Sequence, residues 1–236
     1  MSGRLHNRLA LVTGASQGLG AAIAKRYAAD GAQLILTARN SKALEQIDDE
    51  IRAINGGAGA TLVPLDLKQF DQLDGMAAAI AQRFGRLDIL AACAGTLGHL
   101  APAGHYAPAL VQEIIDVNLT ANWRLIRALD PLLRASPAGR AIFATCAAAR
   151  APEAYWAPYA ASKAALEALV RAYAREIEQS AVRANLVDPG PMRTALRFAA
   201  FPFEDRAALR VPEDATEPFV MLAETGCAKN GEIITL

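Results

Sequence analysis

The amino-acid sequence predicts an α/β fold in which a doubly wound parallel sheet of about seven strands carries helices on both faces. Short apolar runs alternate with longer segments of helical character along the chain, which is the pattern of βαβ units. A glycine-rich segment follows the first apolar run directly. The 236 residues contain no repeat, linker or low-complexity tract. We therefore expect a single domain over residues 1–236.

The predicted strands are the short apolar runs, because parallel strands buried on both faces are nearly continuous in hydrophobic residues. The third run contains Pro64, which lacks an amide hydrogen and favours either a strand at the edge of the sheet or an early end to the strand's hydrogen bonding. The seven predicted strands cover residues 9–13, 33–37, 61–65, 87–91, 141–144, 182–187 and 231–236.

Helices are predicted between these strands. Ser41 is expected to cap the second helix, and Asn118 lies within a helical stretch as a satisfied core group or at a kink. The segment 195–216 is either a lid over a site or an ordinary surface excursion. The predicted helices cover residues 21–29, 41–54, 69–84, 110–133 in two pieces, 159–178 and 217–223.

The glycine-rich segment lies between the first strand and the first helix, which is the context that a nucleotide-binding loop requires. Glycines allow the tight turn and the close approach of a pyrophosphate, and the free N–H groups of the helix N-terminus attract that anion. A purely structural turn is the alternative. The pattern therefore favours a Rossmann-type dinucleotide site that includes Gly14, Ser16, Gln17, Gly18, Leu19 and Gly20.

Residues at the ends of the next strands indicate which dinucleotide binds. Sites that take NAD often carry an acid after the second strand, whereas this chain has Arg39, which could contact a 2′-phosphate or be solvated. NADP(H) is therefore more strongly indicated than NAD(H). Ligands of such sheets bind at the carboxyl ends of the strands, although Asp66 could instead be a solvated turn residue. Four further cofactor-binding candidates lie at this edge: Asp66, Leu67, Ala94 and Gly95.

Tyr159 and Lys163 are four residues apart at the start of a long helical run, so they share one helix face. A nearby ammonium stabilises a phenolate, and a tyrosine whose pKa falls can act as a general acid or base. An unremarkable surface pair is the alternative for this motif. The presence of a nucleotide-binding loop in the same chain favours the catalytic interpretation of this pair.

Composition excludes several other classes of function. The net charge is +0 and there is no basic run, so nucleic-acid binding is not indicated. No apolar run is long enough to cross a bilayer, and residues 1–6 lack the apolar core of a signal peptide. The chain has three cysteines without metal-ligand spacing, and the loop 96–108 adds two histidines but no third ligand. We expect no metal site and a reducing, cytoplasmic location.

Taken together, the motifs resemble the short-chain dehydrogenase/reductase family over essentially the whole chain. The resemblance rests on the glycine motif from Thr13 to Gly20, followed in the family's order by Asp66, Asn118, Tyr159 with Lys163, and Pro189 with Gly190. The stretch from Pro189 to Arg197 looks similar to a bacterial branch whose physiological substrates are poorly defined.

The resemblance implies an NADP(H)-dependent oxidoreductase that acts on a carbonyl or alcohol substrate and assembles as a homodimer or homotetramer. Tyr159 would transfer the proton, Lys163 would lower the tyrosine pKa and hold the nicotinamide ribose, and Asn118 would hold a relay water. Pro189, Gly190 and Thr194 would complete the cofactor site.

The chain departs from the family pattern at the fourth catalytic position, where Cys146 stands thirteen residues before the tyrosine in place of the usual serine. A thiol is a weaker hydrogen-bond donor, and Thr145 would need a backbone shift to replace it. The alternative is therefore a dinucleotide-binding protein with little catalysis, or an enzyme regulated by thiol oxidation. A second departure is Cys93, in a segment where the family has a second asparagine. Tyr155, Trp156, Phe198 and Phe201 suggest an apolar substrate side.

Overall fold

The computed structural model of the protein describes residues 3–236. Its centre is one sheet of seven parallel strands in the order β3-β2-β1-β4-β5-β6-β7. The predicted edge position of the proline-containing strand is confirmed, since β3 is outermost. The strands are β1 (Leu9–Thr13), β2 (Gln33–Ala38), β3 (Thr61–Pro64), β4 (Ile89–Ala92), β5 (Arg140–Ala144), β6 (Arg183–Asp188) and β7 (Ile233–Thr235).

Helices cover both faces of the sheet, as the alternating pattern predicted. The helices are α1 (Gly18–Ala29), α2 (Ser41–Ile54), α3 (Phe70–Phe84), α4 (Pro108–Ile115), α5 (Ala121–Arg134), α6 (Ala157–Glu176), α7 (Ala195–Ala200) and α8 (Glu217–Ala223). One face of the sheet packs against α1, α2 and α8 through a core that contains Tyr27 and Phe219, and the other packs against α3, α5 and α6 around Phe143.

Two local expectations are refined by the structure. The residue that caps α2 is Asn40 and not Ser41, because the Asn40 side chain accepts a hydrogen bond of 3.1 Å from the Ala43 amide. The interruption at Asn118 is a π-helical turn, Asp116–Thr120, which joins α4 to α5. Such turns insert an extra residue into a helix and are frequent at functional sites.

The sheet order places a topological switch between β1 and β4, because the chain leaves β1 in one direction and returns to its other side. Clefts for ligands form at such switches, beyond the carboxyl ends of the strands. Within residues 3–236, no helix has the length and apolar character needed to span a bilayer. The same residues include no cluster of three or more histidine, cysteine or acidic side chains suited to a metal ion.

Candidate active site

A cleft of about 1070 Å³ opens at the carboxyl edge of the sheet, over the switch between β1 and β4. It brings together all the residues that the sequence pattern nominated for cofactor binding. Its lining includes Gly14, Ser16, Gln17, Gly18, Leu19, Gly20, Arg39, Asp66, Leu67, Ala94, Gly95, Tyr159, Lys163, Pro189, Gly190 and Thr194.

The glycine loop forms a cradle that only glycine can complete. Gly14 has φ +67, and a Cβ there would lie 2.9 Å from the Ala94 Cα. A Cβ on Gly20 would collide with the Gly14 carbonyl oxygen, so the first turn of α1 packs directly on the loop. The free N–H groups at the start of α1 remain available to an anion. This geometry fits the pyrophosphate of a dinucleotide.

At the far end of the cradle, the side chain of Arg39 is exposed and lines the cleft. Nearby, the Thr37 hydroxyl is buried and has no hydrogen-bond partner among residues 3–236. The Asp66 carboxylate accepts a hydrogen bond of 3.0 Å from the Lys68 amide, which fixes the turn after β3. This end of the cleft therefore has a hydroxyl that is free to form a hydrogen bond, that of Thr37, and an exposed cation, that of Arg39.

Tyr159 and Lys163 lie at the opposite end, on the first turns of α6. Both are largely buried, with 6% and 5% of their surface exposed, and the Lys163 ammonium lies 6.0 Å from the centre of the tyrosine ring. The Lys163 Nζ donates a hydrogen bond of 3.0 Å to the carbonyl oxygen of Ala144 at the end of β5. This bond aims the ammonium into the cleft beside the phenol.

Burial determines the protonation of this pair. The pKa of Tyr159 is raised well above its ordinary value, mainly by burial and then by the neighbouring Cys146. Burial also lowers the pKa of Lys163. The lowering of the tyrosine pKa that the motif predicts does not appear, because desolvation of the phenolate is the largest contribution and raises that pKa. The phenol is neutral at pH 7 and carries a proton that it can donate.

Asn118 lies behind this pair and outside the residues that line the cleft. Its Oδ1 accepts from the Thr96 amide at 2.8 Å, and its Nδ2 donates to the Thr96 carbonyl at 2.9 Å and to the Ser162 hydroxyl at 3.0 Å. Ser162 in turn donates to the Tyr159 carbonyl at 2.7 Å. The amide therefore fixes the loop after β4 against the helix that carries the tyrosine.

Cys146 follows β5 in extended backbone and lines the cleft next to Tyr159. The adjacent Thr145 cannot replace the usual serine, because its buried hydroxyl donates to the Glu167 carboxylate at 2.8 Å. The other cysteine of the cleft, Cys93, has its pKa raised to about 12 by burial, which makes the thiol inert at pH 7. The amides of Cys93 and Ala94 both donate to the Thr13 hydroxyl, at 3.1 and 3.2 Å. That hydroxyl steadies the loop after β4, a role that the sequence pattern did not reveal.

Two of the four aromatic candidates form a wall of the cleft. The Trp156 ring lies 5.7 Å from both the Tyr159 and the Phe201 rings. Phe201 follows α7, so the first part of the segment 195–216 contributes to the lining of the cleft. Tyr155 is exposed with φ +72, and Phe198 packs under the Arg206 guanidinium at 4.0 Å, outside the cleft.

The loop histidines are also outside the cleft. The His99 ring stacks on Tyr106 with centroids 5.6 Å apart, and His105 is exposed in a short 3₁₀ turn. A second group that sequence reasoning missed is Arg150, which lies outside the cleft lining and between the carboxylates of Glu167 and Asp188. Only a contact map could have found it, because its partners lie 17 and 38 residues away.

Known proteins are similar to this chain in sequence and in architecture. The family model described as short chain dehydrogenase matches residues 8–204. The uncharacterized oxidoreductase YciK of Escherichia coli (strain K12) is 37% identical over 220 residues, which cover 92% of this chain and 86% of that protein. The L-fucose dehydrogenase of Oryctolagus cuniculus is 30% identical over 209 residues, 88% of this chain and 71% of that protein.

Solved structures match over the full length of the chain. A short chain dehydrogenase from Shigella flexneri 2a str. 301, complexed with NADP, has a TM-score of 0.94 and 34% identity and covers 100% of this chain and 99% of that one. One from Escherichia coli CFT073, complexed with NADPH, also has a TM-score of 0.94, with 35% identity and coverage of 100% and 98%. The chain therefore belongs to the short-chain dehydrogenase family of oxidoreductases.

Proposed function

We propose that this chain is an NADP(H)-dependent oxidoreductase that interconverts a carbonyl and an alcohol, with Tyr159 as the proton donor and acceptor. The observation that carries the proposal is the buried Tyr159 beside Lys163 at the end of a cleft whose other end is a glycine cradle. In the reductive direction the product oxygen must receive a proton, which the Tyr159 hydroxyl can donate.

The cofactor proposal rests on the cradle and on Arg39. The N–H groups of the glycine loop and of the start of α1 would hold the pyrophosphate, and Arg39 would hold the 2′-phosphate that distinguishes NADP from NAD. The bound NADP and NADPH of the two structural relatives support this choice. When bound, the nicotinamide supplies or accepts the hydride.

At the reacting end, the chain's own groups hold and move the proton. Lys163 is anchored by the Ala144 carbonyl, and its remaining N–H groups are free to hold the nicotinamide ribose. Asn118 keeps the helix that carries Tyr159 in register with the loop after β4, through Thr96 and Ser162. We also propose that Asn118 binds a water molecule, which would relay the proton between Tyr159 and solvent.

We propose a neutral carbonyl compound with an apolar side as the substrate. Trp156 and Phe201 offer aromatic surface next to the tyrosine. The Arg197 guanidinium of α7 is already paired with both oxygens of the Glu204 carboxylate, at 2.7 and 2.6 Å. Glu153, which also lines the cleft, would repel an anionic substrate.

A screen of NADPH oxidation tests this function. Purified protein is assayed with neutral aromatic ketones, aldehydes and quinones, and with keto acids of matched size. We expect turnover with the neutral compounds and little with the keto acids. A clear preference for keto acids would contradict the assignment of the substrate class.

The alternative function is a dinucleotide-binding protein with weak or no catalysis. It is favoured by Cys146 together with the engaged Thr145 hydroxyl, since neither position offers a strong donor to a substrate carbonyl. Tight NADPH binding without turnover across the whole panel would support this alternative. As in the family, we expect a homodimer or homotetramer in the cytoplasm, and light scattering after size-exclusion chromatography measures the assembly.

A further inference from the structure

Two buried carboxylates at the edge of the cleft share a single guanidinium: Asp188 is part of the cleft lining, whereas Glu167 lies outside it. The side chains of Glu167 and Asp188 are 4% and 2% exposed, and Arg150 donates from Nη1 to the first and from Nη2 to the second. Arg150 itself is 36% exposed and lies outside the residues that line the cleft. Burying two acids so completely is costly unless they are paired, so this arrangement is more than a surface ion pair.

The network joins three elements that carry the site. Glu167 lies one turn after Lys163 on α6 and also accepts from the Thr145 hydroxyl at the end of β5. Asp188 ends β6, and its second oxygen accepts a hydrogen bond of 3.1 Å from the amide of Gly190 in the cofactor-side turn. Arg150 is thus the link between the catalytic helix and the turn that is proposed to hold the cofactor.

We propose that Arg150 is a positioning residue that clamps helix α6 to the turn after β6, and so couples cofactor binding to the placement of Tyr159. The proposal rests on the function assigned above to that turn and to Tyr159. Arg150 acts through Glu167 and Asp188 and touches neither the substrate nor the cofactor.

Its neighbour Arg171 provides a matched control. Arg171 contacts the same Glu167 carboxylate at 3.5 Å, but from the outer face of α6, with half of its side chain exposed. In the part of the chain that the structure covers, Arg150 is the one side-chain cation within salt-bridge distance of Asp188. Removing Arg150 therefore frees the turn from the helix, whereas removing Arg171 leaves the clamp in place.

The test compares Arg150→Met with Arg171→Met by fluorescence titration of NADPH and by thermal unfolding. Coupling between two parts of a site commonly changes affinity about 5-fold or more. We expect Arg150→Met to weaken NADPH binding by about this factor, and to lose kcat at saturating NADPH in the best carbonyl assay. Arg171→Met should have the NADPH affinity and the kcat of the parent. Equal NADPH affinities for the parent and Arg150→Met, or equal losses in the two variants, would overturn the proposal.

Chemical rescue separates positioning from general stabilisation. Guanidinium chloride, added well below the concentrations that unfold the protein, should restore NADPH affinity to Arg150→Ala, because truncation to alanine vacates a position that is partly open to solvent. If Arg150→Met does not fold, Arg150→Lys replaces it, since a lysine keeps the charge but loses the planar fork whose two ends each donate to one carboxylate here. A lysine variant with parental NADPH affinity would contradict the clamp. NADPH titration needs no substrate. A parent protein that binds NADPH without turnover would therefore refute the catalytic proposal, while the NADPH affinities of the variants would still decide whether Arg150 acts as the clamp.

Discussion

Replacing Cys146 with serine is expected to raise the rate of carbonyl reduction. The thiol lies in the cleft next to Tyr159, where a hydroxyl would be a better donor to the substrate oxygen. The backbone at Cys146 is extended, with φ -160, so a serine fits without strain. Thr145 contributes no competing donor, because its hydroxyl is held by Glu167 at 2.8 Å.

The size of the expected rate increase follows from the rate loss that removal of such a donor causes. Loss of one oxyanion-stabilising donor costs about 100- to 1000-fold in rate, and a thiol retains part of that stabilisation. We therefore expect kcat to rise about 10- to 100-fold in Cys146→Ser, which corresponds to about 1.4 to 2.7 kcal/mol in the activation barrier.

The assay is NADPH oxidation at saturating cofactor with the best neutral ketone of the screen. Cys227→Ser is the matched control, since Cys227 is a half-buried cysteine outside the residues of the cleft. An unchanged or lower kcat in Cys146→Ser would refute the reasoning that donor strength at this position limits the rate. An equal increase in Cys227→Ser would show that the effect does not arise in the cleft.

Two further predictions concern the cofactor and the core. Arg39→Ala should weaken NADPH binding about 10-fold and leave NADH binding unchanged, because a charge-assisted hydrogen bond contributes about 1.5 kcal/mol at the lower end of its range. Fluorescence titrations with both cofactors measure this, and equal losses for both would remove the 2′-phosphate role. Burial raises the pKa of Tyr27 well above its ordinary value of 10.0, so the unfolded chain loses this proton first as the pH rises. The free energy of unfolding should therefore be constant below pH 10 with respect to this group and fall above it, by up to about 1.4 kcal/mol per pH unit. Urea unfolding of Tyr27→Phe should show a shallower alkaline decline, and an identical decline would contradict the prediction.

The sequence pattern predicted the sheet well because strand formation here is a local property. Parallel strands buried on both faces are continuous apolar runs, and each run lies within about two residues of an observed strand. The edge position of β3 followed from Pro64 alone. The cap of α2 was misplaced by one residue, since Asn40 and Ser41 are both good capping residues and only the backbone geometry distinguishes them.

The residues of the cleft were predictable where a chemical pattern marks them, as in the glycine loop and the pair Tyr159 and Lys163. The supporting groups were not. Thr13 and Arg150 are ordinary residues in the sequence, and their hydrogen bonds join segments that are distant along the chain. The protonation of Tyr159 was also out of reach, because it depends on burial, which a four-residue spacing does not encode.

The most direct test of the account is Tyr159→Phe, measured by NADPH oxidation at saturating cofactor together with NADPH titration. This change removes only the phenolic oxygen and keeps the ring against Trp156. Loss of a positioned general acid should lower kcat about 100- to 10000-fold while NADPH affinity stays near that of the parent. A Tyr159→Phe variant that reduces the same carbonyl compound at the parental rate would contradict the central claim that this tyrosine supplies the proton.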